Sequence, residues 1–377
     1  MHAPLFRLVV SLALSGAAAM STALAAPASR APCDTAGSQH LTTAEGAACR
    51  LADELEKAFV YPEQGKAYAA MLRAHVAAGR YAALTSDEAA QRMTADLQAV
   101  AADGHLRVER LSQHQQGMGG TGPSFPIMEQ GGWIAPGIAF LRINAFTPEA
   151  SQTAEVAKFM ADHADADAII FDLRTHRGGG LDQMDVIFPW LYAKETRLVT
   201  MAMRRSVEEE RGTPFGDTPT LRLMPGTPQE SVREHWAKPN ADARLRDAKV
   251  YLLTSRRTGS AAEHFALAMK HTGRGKLVGS HTAGANHFGG GMELTGELGA
   301  FIPVGRTYDP VTGKDWETVG VAPDVDVPPE AALEWVLKDL GIDAAQAAVL
   351  SASHAPTIPI KRRSSSTNPS TAPRSAQ

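Results

Sequence analysis

The sequence predicts an α/β fold in which a mostly parallel sheet carries helices on its faces, preceded by a small helical bundle. Three observations lead there. The short apolar runs Ile138 to Ile143, Ala168 to Leu173 and Lys249 to Thr254 lack polar alternation and read as strands buried on both faces. Helical spacing alternates with them, as in parallel strands joined by crossover helices. From Thr43 to Ala102, by contrast, only helical spacing occurs.

Taken in order, the chain begins with Arg7, an apolar run from Leu8 to Met20 and the small residues Ala23-Leu24-Ala25. This is the pattern of a cleavable secretory signal over residues 1–25, which predicts a periplasmic or secreted protein; a retained N-terminal anchor is the alternative. The apolar core is too short for a membrane span, and no later segment reaches the required length. Two cysteines follow, Cys33 and Cys49, which in an oxidising compartment could pair. A helical part over 26–104 holds helices from Thr43 to Phe59, from Gly65 to Ala78 and from Ser86 to Ala102. Leu51, Leu55, Phe59, Met71, Leu72, Met93 and Leu97 are its expected core.

The α/β part spans 105–345. Leu111 to Gly132 reads as a loop or weak strands, Pro148 to His163 and Asp182 to Tyr192 as helices, and Leu198 to Met203 as a strand. Arg204 to Ala248 is polar, Pro-rich and irregular. Strands at Lys276 to Gly279 and Leu298 to Val304 and a helix from Pro329 to Leu340 close the domain. Residues 346–377, increasingly rich in Ser, Pro and Thr, read as a disordered tail. A net charge of −4 offers no electrostatic ground for binding nucleic acid or an anionic membrane.

The chemistry centres on Ser260. It follows the buried run Lys249 to Thr254 and a Thr258-Gly259 turn, and it opens a helical pattern with Ala262, Phe265, Ala266 and Met269 on one face. A hydroxyl there sits beside unpaired N–H groups at the positive end of a helix dipole, where an anionic intermediate is stabilised. With Glu263 three residues on, Ser260 is also a capping box, which needs no chemistry. The second stretch is Asp172-Leu-Arg174-Thr-His-Arg-Gly178-Gly179-Gly180, a strand end opening into glycines whose N–H groups could form half an oxyanion hole or simply a turn. The dinucleotide and P-loop spacings are absent. A serine nucleophile needs a base, and among thirteen histidines His105, His281 and His287 stand at turns. Glu317 and Asp324 offer carboxylates. No metal-ligand spacing is present, so neither a metal nor another cofactor is expected.

Eight stretches, in order, carry a resemblance that covers roughly residues 45 to 340. They are Val60-Tyr-Pro62, Asp103-Gly-His105-Leu, Gly137-Ile-Ala-Phe-Leu-Arg-Ile143, Asp172-Leu-Arg174 with Gly178-Gly179, and Leu253-Thr-Ser with Thr258-Gly-Ser260-Ala-Ala-Glu263. Gly279-Ser-His-Thr-Ala-Gly284, Pro303-Val-Gly-Arg306 and Trp316-Glu-Thr-Val-Gly-Val-Ala-Pro-Asp324 complete the set. The chain resembles the tail-specific (carboxyl-terminal processing) serine peptidases, in the branch similar to interphotoreceptor retinoid-binding protein and the tricorn core protease. The resemblance implies a ClpP/crotonase-like fold with Ser260 as nucleophile and the N–H groups of Ala261 and of Gly179 or Gly178 as the oxyanion hole. Where one form of the family has a lysine base this chain has Ala285. The other form takes a histidine from before the sheet and a glutamate from after it, and His105 and Glu317 match those places. Gly104 stands where that form has a serine, and His176 where an Asn is usual. The chain between His105 and Ile138 is too short for a PDZ domain.

The resemblance therefore implies a serine endopeptidase acting on protein or peptide substrates. A non-catalytic protein binding an apolar ligand on the same fold is the alternative, and an esterase using the same triad is a third reading.

Overall fold

Two six-stranded sheets stand where the sequence predicts one. The computed structural model describes Cys33 and residues 42–111, 126–215 and 218–360; the signal read at 1–25 and the tail beyond 360 lie outside the described residues. The first sheet runs β12 (Val325–Asp326), β9 (Lys276–Gly279), β8 (Lys249–Thr254), β4 (Ala168–Asp172), β3 (Ile138–Ile143), β2 (Met128–Ala135). Its pairs are parallel except β2–β3. β3 and β4 are buried along their whole length, as continuous apolar runs require.

The second sheet is antiparallel. It contains β1 (Arg107–Arg110), β11 (Leu298–Tyr308), β5 (Thr196–Arg204), β7 (Glu230–Ala237) and β6 (Leu221–Met224), with β10 (His287–Glu293) also paired to β11. This corrects the expectation of an irregular segment from Arg204 to Ala248. β7 reads Glu-Ser-Val-Arg-Glu-His-Trp-Ala and β10 is rich in glycine, so neither carries an apolar run. Their pairing comes from β5 and β11, which is tertiary context.

Helices cover both faces of the parallel sheet. On one face α4 (Ala150–Asp162), α5 (Asp182–Leu191) and α7 (Ala261–His271) bury Phe159, Ile187, Phe188 and Phe265 against Ile169, Phe171 and Leu252. On the other, α8 (Ala332–Asp339) buries Leu333 and Val336 against Ile170, Leu253 and Val278. A short α6 (Arg205–Arg211) follows β5. α9 (Ala344–Ser353) falls largely inside the stretch read as a disordered tail. Asp343 caps it through the N–H groups of Ala345 and Gln346, Ala347 is buried, and the carbonyl of His354 at its end accepts from Arg142. The tail reading thus fails for residues 346–353.

The N-terminal helices α1 (Thr43–Ala58), α2 (Pro62–Ala77) and α3 (Ser86–Val100) do not close a core of their own. Capping boxes at Thr42/Glu45 and Thr85/Glu88 start α1 and α3. Leu51, Leu55, Phe59, Leu72, Met93 and Leu97 are buried and Met71 half-buried, but they share their core with Leu298, Ala300 and Ile302 of β11. The short helices bury their apolar faces on the second sheet. Cys33 and Cys49 form a disulfide across 16 residues, tying the chain ahead of α1 to that helix. Among the described residues no helix is long and apolar enough to cross a membrane.

Candidate active site

Ser260 stands at the carboxyl end of the parallel sheet, between the loops that leave β4 and β8, where open α/β sheets place their sites. The two loops are sewn together. Ser255 Oγ donates to the Arg174 carbonyl (2.6 Å), Thr258 Oγ1 to the Leu173 carbonyl (2.7 Å), and the Gly259 N–H to the His176 carbonyl (3.0 Å). Beneath them Asp172, fully buried, binds both Arg174 and Arg142. Burial alone would raise its pKa, yet the two guanidinium groups hold it down to about 2.

Ser260 has φ 56° and ψ −123°, a conformation rarely taken by an L-residue, and it ends a sharp strand-to-helix turn as the N-cap residue just before α7. Its own N–H donates to Glu263 Oε2 (2.8 Å), the Glu263 half of the expected capping box. Glu263 does far more than cap. Its buried carboxylate also accepts from Thr282 Oγ1 (2.6 Å), the Gly284 N–H (2.7 Å) and the Ala285 N–H (2.9 Å). Burial pushes its pKa up and the donors oppose that shift. The loop after β9 is thereby fixed to the serine turn.

The glycine loop lies directly on that turn. A Cβ on Gly178 would fall 2.5 Å from Ser260 Cβ and 3.0 Å from the Ala261 nitrogen, and one on Gly179 would strike the Phe146 carbonyl at 1.7 Å. The two glycines differ in one respect that corrects the sequence reading. The Gly178 N–H already donates to His176 Nδ1 (2.9 Å) and so is not an open oxyanion donor. No hydrogen bond among the described residues uses the N–H of Gly179 or of Ala261.

His105 is carried to the same region. Gly104 packs against Ala285: a Cβ on Gly104 would meet the Gly284 oxygen at 2.7 Å and Ala285 Cβ at 2.8 Å. Two of the three departures from the family pattern, Gly104 and Ala285, therefore touch, and a serine at 104 has no room. The His105 ring stacks on Phe301 with 5.1 Å between centroids, and its Nδ1 is buried with no partner among the described residues. Desolvation drives its pKa down to about 4, against the pull of Asp103. Among the described residues no hydrogen bond joins Ser260 Oγ to His105.

Glu317 does not meet the His105 imidazole, contrary to what the resemblance implies. Its carboxylate accepts from the N–H groups of Gly104 (2.5 Å), Asn286 (2.7 Å) and His287 (3.3 Å). Asp103, unassigned in the sequence reading, holds the turn from the other side. It accepts from the N–H groups of His105 (2.8 Å) and Leu106 (2.7 Å) and pairs with His287 Nδ1 (2.7 Å). Burial lowers the pKa of His287, but its pairing with Asp103 outweighs this and leaves it raised. Asp103, His287 and Glu317 bring possible metal-ligand atoms within 4.8 Å of one another. Each of their carboxylate oxygens already has a protein donor, so the cluster is built as a charge network around the turn that carries His105. His281 is half-buried, and Asp324 instead binds Lys270 and the Leu277 N–H, at the far end of β9.

The sequence profile of peptidase family S41 matches residues 137–327, just over half of the chain. The chain belongs to peptidase family S41. The chloroplastic C-terminal processing peptidase of Tetradesmus obliquus is 37% identical over 97 residues, 25% of this chain. The match spans only 21% of that relative's length. The overall architecture is similar to that of the photosystem II D1 C-terminal processing protease (TM-score 0.51, 15% identity, 81% of this chain and 99% of the other). It is similar too to a putative peptidase from Parabacteroides merdae (TM-score 0.52, 15% identity, 82% and 97%). At such identities these two likenesses speak for the fold.

Proposed function

We propose that the protein is a secreted serine endopeptidase that cleaves peptide bonds through an acyl-enzyme on Ser260. The observation that carries this reading is the S41 match over a serine held at a strained turn, beside two N–H groups that no other group among the described residues uses. The base is His105: neutral above pH of about 4, it takes the Oγ proton as Ser260 attacks the substrate carbonyl. The oxyanion forms against the N–H groups of Ala261 and Gly179. His105 then returns the proton to the leaving amine, and water, activated by the same ring, hydrolyses the ester. Asp103 favours the charged ring electrostatically, while Glu317 fixes its turn through the Gly104 N–H.

Secretion is supported by the N-terminal signal pattern and by the Cys33–Cys49 disulfide, which persists in oxidising compartments. The test is turnover of unfolded casein. Wild type cleaves it, and S260A and H105A lower kcat by at least about 10³-fold. Full cleavage by S260A would refute the reading.

One observation favours the apolar-ligand alternative. A cavity of about 400 Å³ between α1, α6 and β10 is lined by Met203, Val207, Met292, Ile302 and Val304, with Glu54 and Arg211 also in its wall. A folded wild type that cleaves nothing but carries extractable lipid would establish that reading instead.

A further inference from the structure

His176 occupies the position where an Asn is usual, and its buried side chain is a feature of the glycine loop that the proposed chemistry leaves unused. It is wholly buried, with its ring edge-on to Phe146 at 4.2 Å between centroids. Nδ1 accepts the Gly178 N–H at 2.9 Å, which places the ring proton on Nε2. Nε2 itself is buried without a partner among the described residues, and burial holds the ring neutral, with its pKa down at about 3. The backbone of the same residue accepts the Gly259 N–H, one residue before Ser260.

The loop is thus pinned at two successive peptides. The Gly178 N–H is held by His176, and the Gly178 carbonyl is held by the Phe146 N–H at 2.8 Å. In a trans peptide the C=O and N–H point in opposite directions, so the Gly179 N–H points away from Phe146. Gly178 and Gly179 have φ of 101° and 131°, and glycine peptides flip at little steric cost. The Phe146 N–H holds the Gly178 carbonyl directly and His176 holds the peptide before it; once the preceding peptide is released the turn can rotate and carry the Gly178 carbonyl towards where the Gly179 N–H stands, presenting an acceptor to the oxyanion.

We propose that His176 is a positioning residue that sets the oxyanion hole: by accepting the Gly178 N–H it leaves the Gly179 N–H as the donor beside Ala261. The role rests on the peptidase reading above. It also explains the exchange with Asn, since Asn Oδ1 and His Nδ1 are both attached to Cγ and both accept an N–H.

The experiment compares wild type, H176N, H176F and H176L by peptide turnover, by the rate of inactivation with an aryl phosphonate ester and by thermal melting. H176F keeps a ring against Phe146 and carries the comparison should H176L not fold. The expected result is that kcat and the inactivation rate fall about 10- to 100-fold in H176F and H176L with KM nearly unchanged, because the oxyanion contact is made in the transition state. H176N recovers most of the rate. Equal rates in wild type and H176F, or a loss in H176N as deep as in H176F, would overturn the role of His176 while leaving the peptidase reading intact. A folded wild type that neither cleaves nor labels would sink both.

Discussion

Ser260 pays for its position with a backbone conformation that costs on the order of 1–3 kcal/mol in an L-residue. Glu263 is what holds it there, through four hydrogen bonds, one of them to the serine's own N–H. An amide at 263 would set its NH2 against donors. E263Q is therefore expected to lose about 2–4 kcal/mol of stability in urea unfolding and to lower kcat, whereas a residue that only capped a helix would cost about 1 kcal/mol. His105 gives a second prediction. A general base must be neutral, and burial moves its pKa from the ordinary histidine value to about 4. The acid limb of kcat/KM against pH should then fall near pH 4, measured on a short peptide; a limb near 6.5 would show a solvated base. The turn and helix that carry Ser260 were legible in the sequence because they are local. The pairing of Asp103 with His287 was not, because it spans 184 residues and nothing local to either residue points to the other.

At the scale of elements, the parallel strands and their helices could be read from apolar runs and helical spacing alone. The antiparallel sheet could not, since β7 is charged and β10 glycine-rich and each becomes a strand only beside β5 or β11. That sheet matters to the site: β1 leads out of the turn that carries His105, and β11 supplies Phe301 beneath its ring. The contact between Gly104 and Ala285 joins this turn to the loop after β9. G104A is expected to cost about 1–3 kcal/mol in thermal or urea unfolding, by overpacking against backbone. The double variant G104A/A285G should recover part of that loss, and no recovery would mean that the Gly284 carbonyl alone is the obstacle.

Over the whole molecule, the helical N-terminal part and the S41 region share one core across β11, so the boundary drawn near residue 104 is not a break in packing. The disulfide staples the chain before α1 to this shared core. Closing a loop of this length restricts the unfolded chain by about 3 kcal/mol, so C33S/C49S should lower stability by roughly that amount without changing kcat. The central claim is an activated Ser260 with His105 as its base. Intact-mass spectrometry after treatment with a fluorophosphonate tests it most directly. The account predicts one adduct on wild type, mapped to Ser260, and none on S260A or, within the same time, on H105A. An unlabelled, folded wild type, or an adduct that persists in S260A, would contradict it.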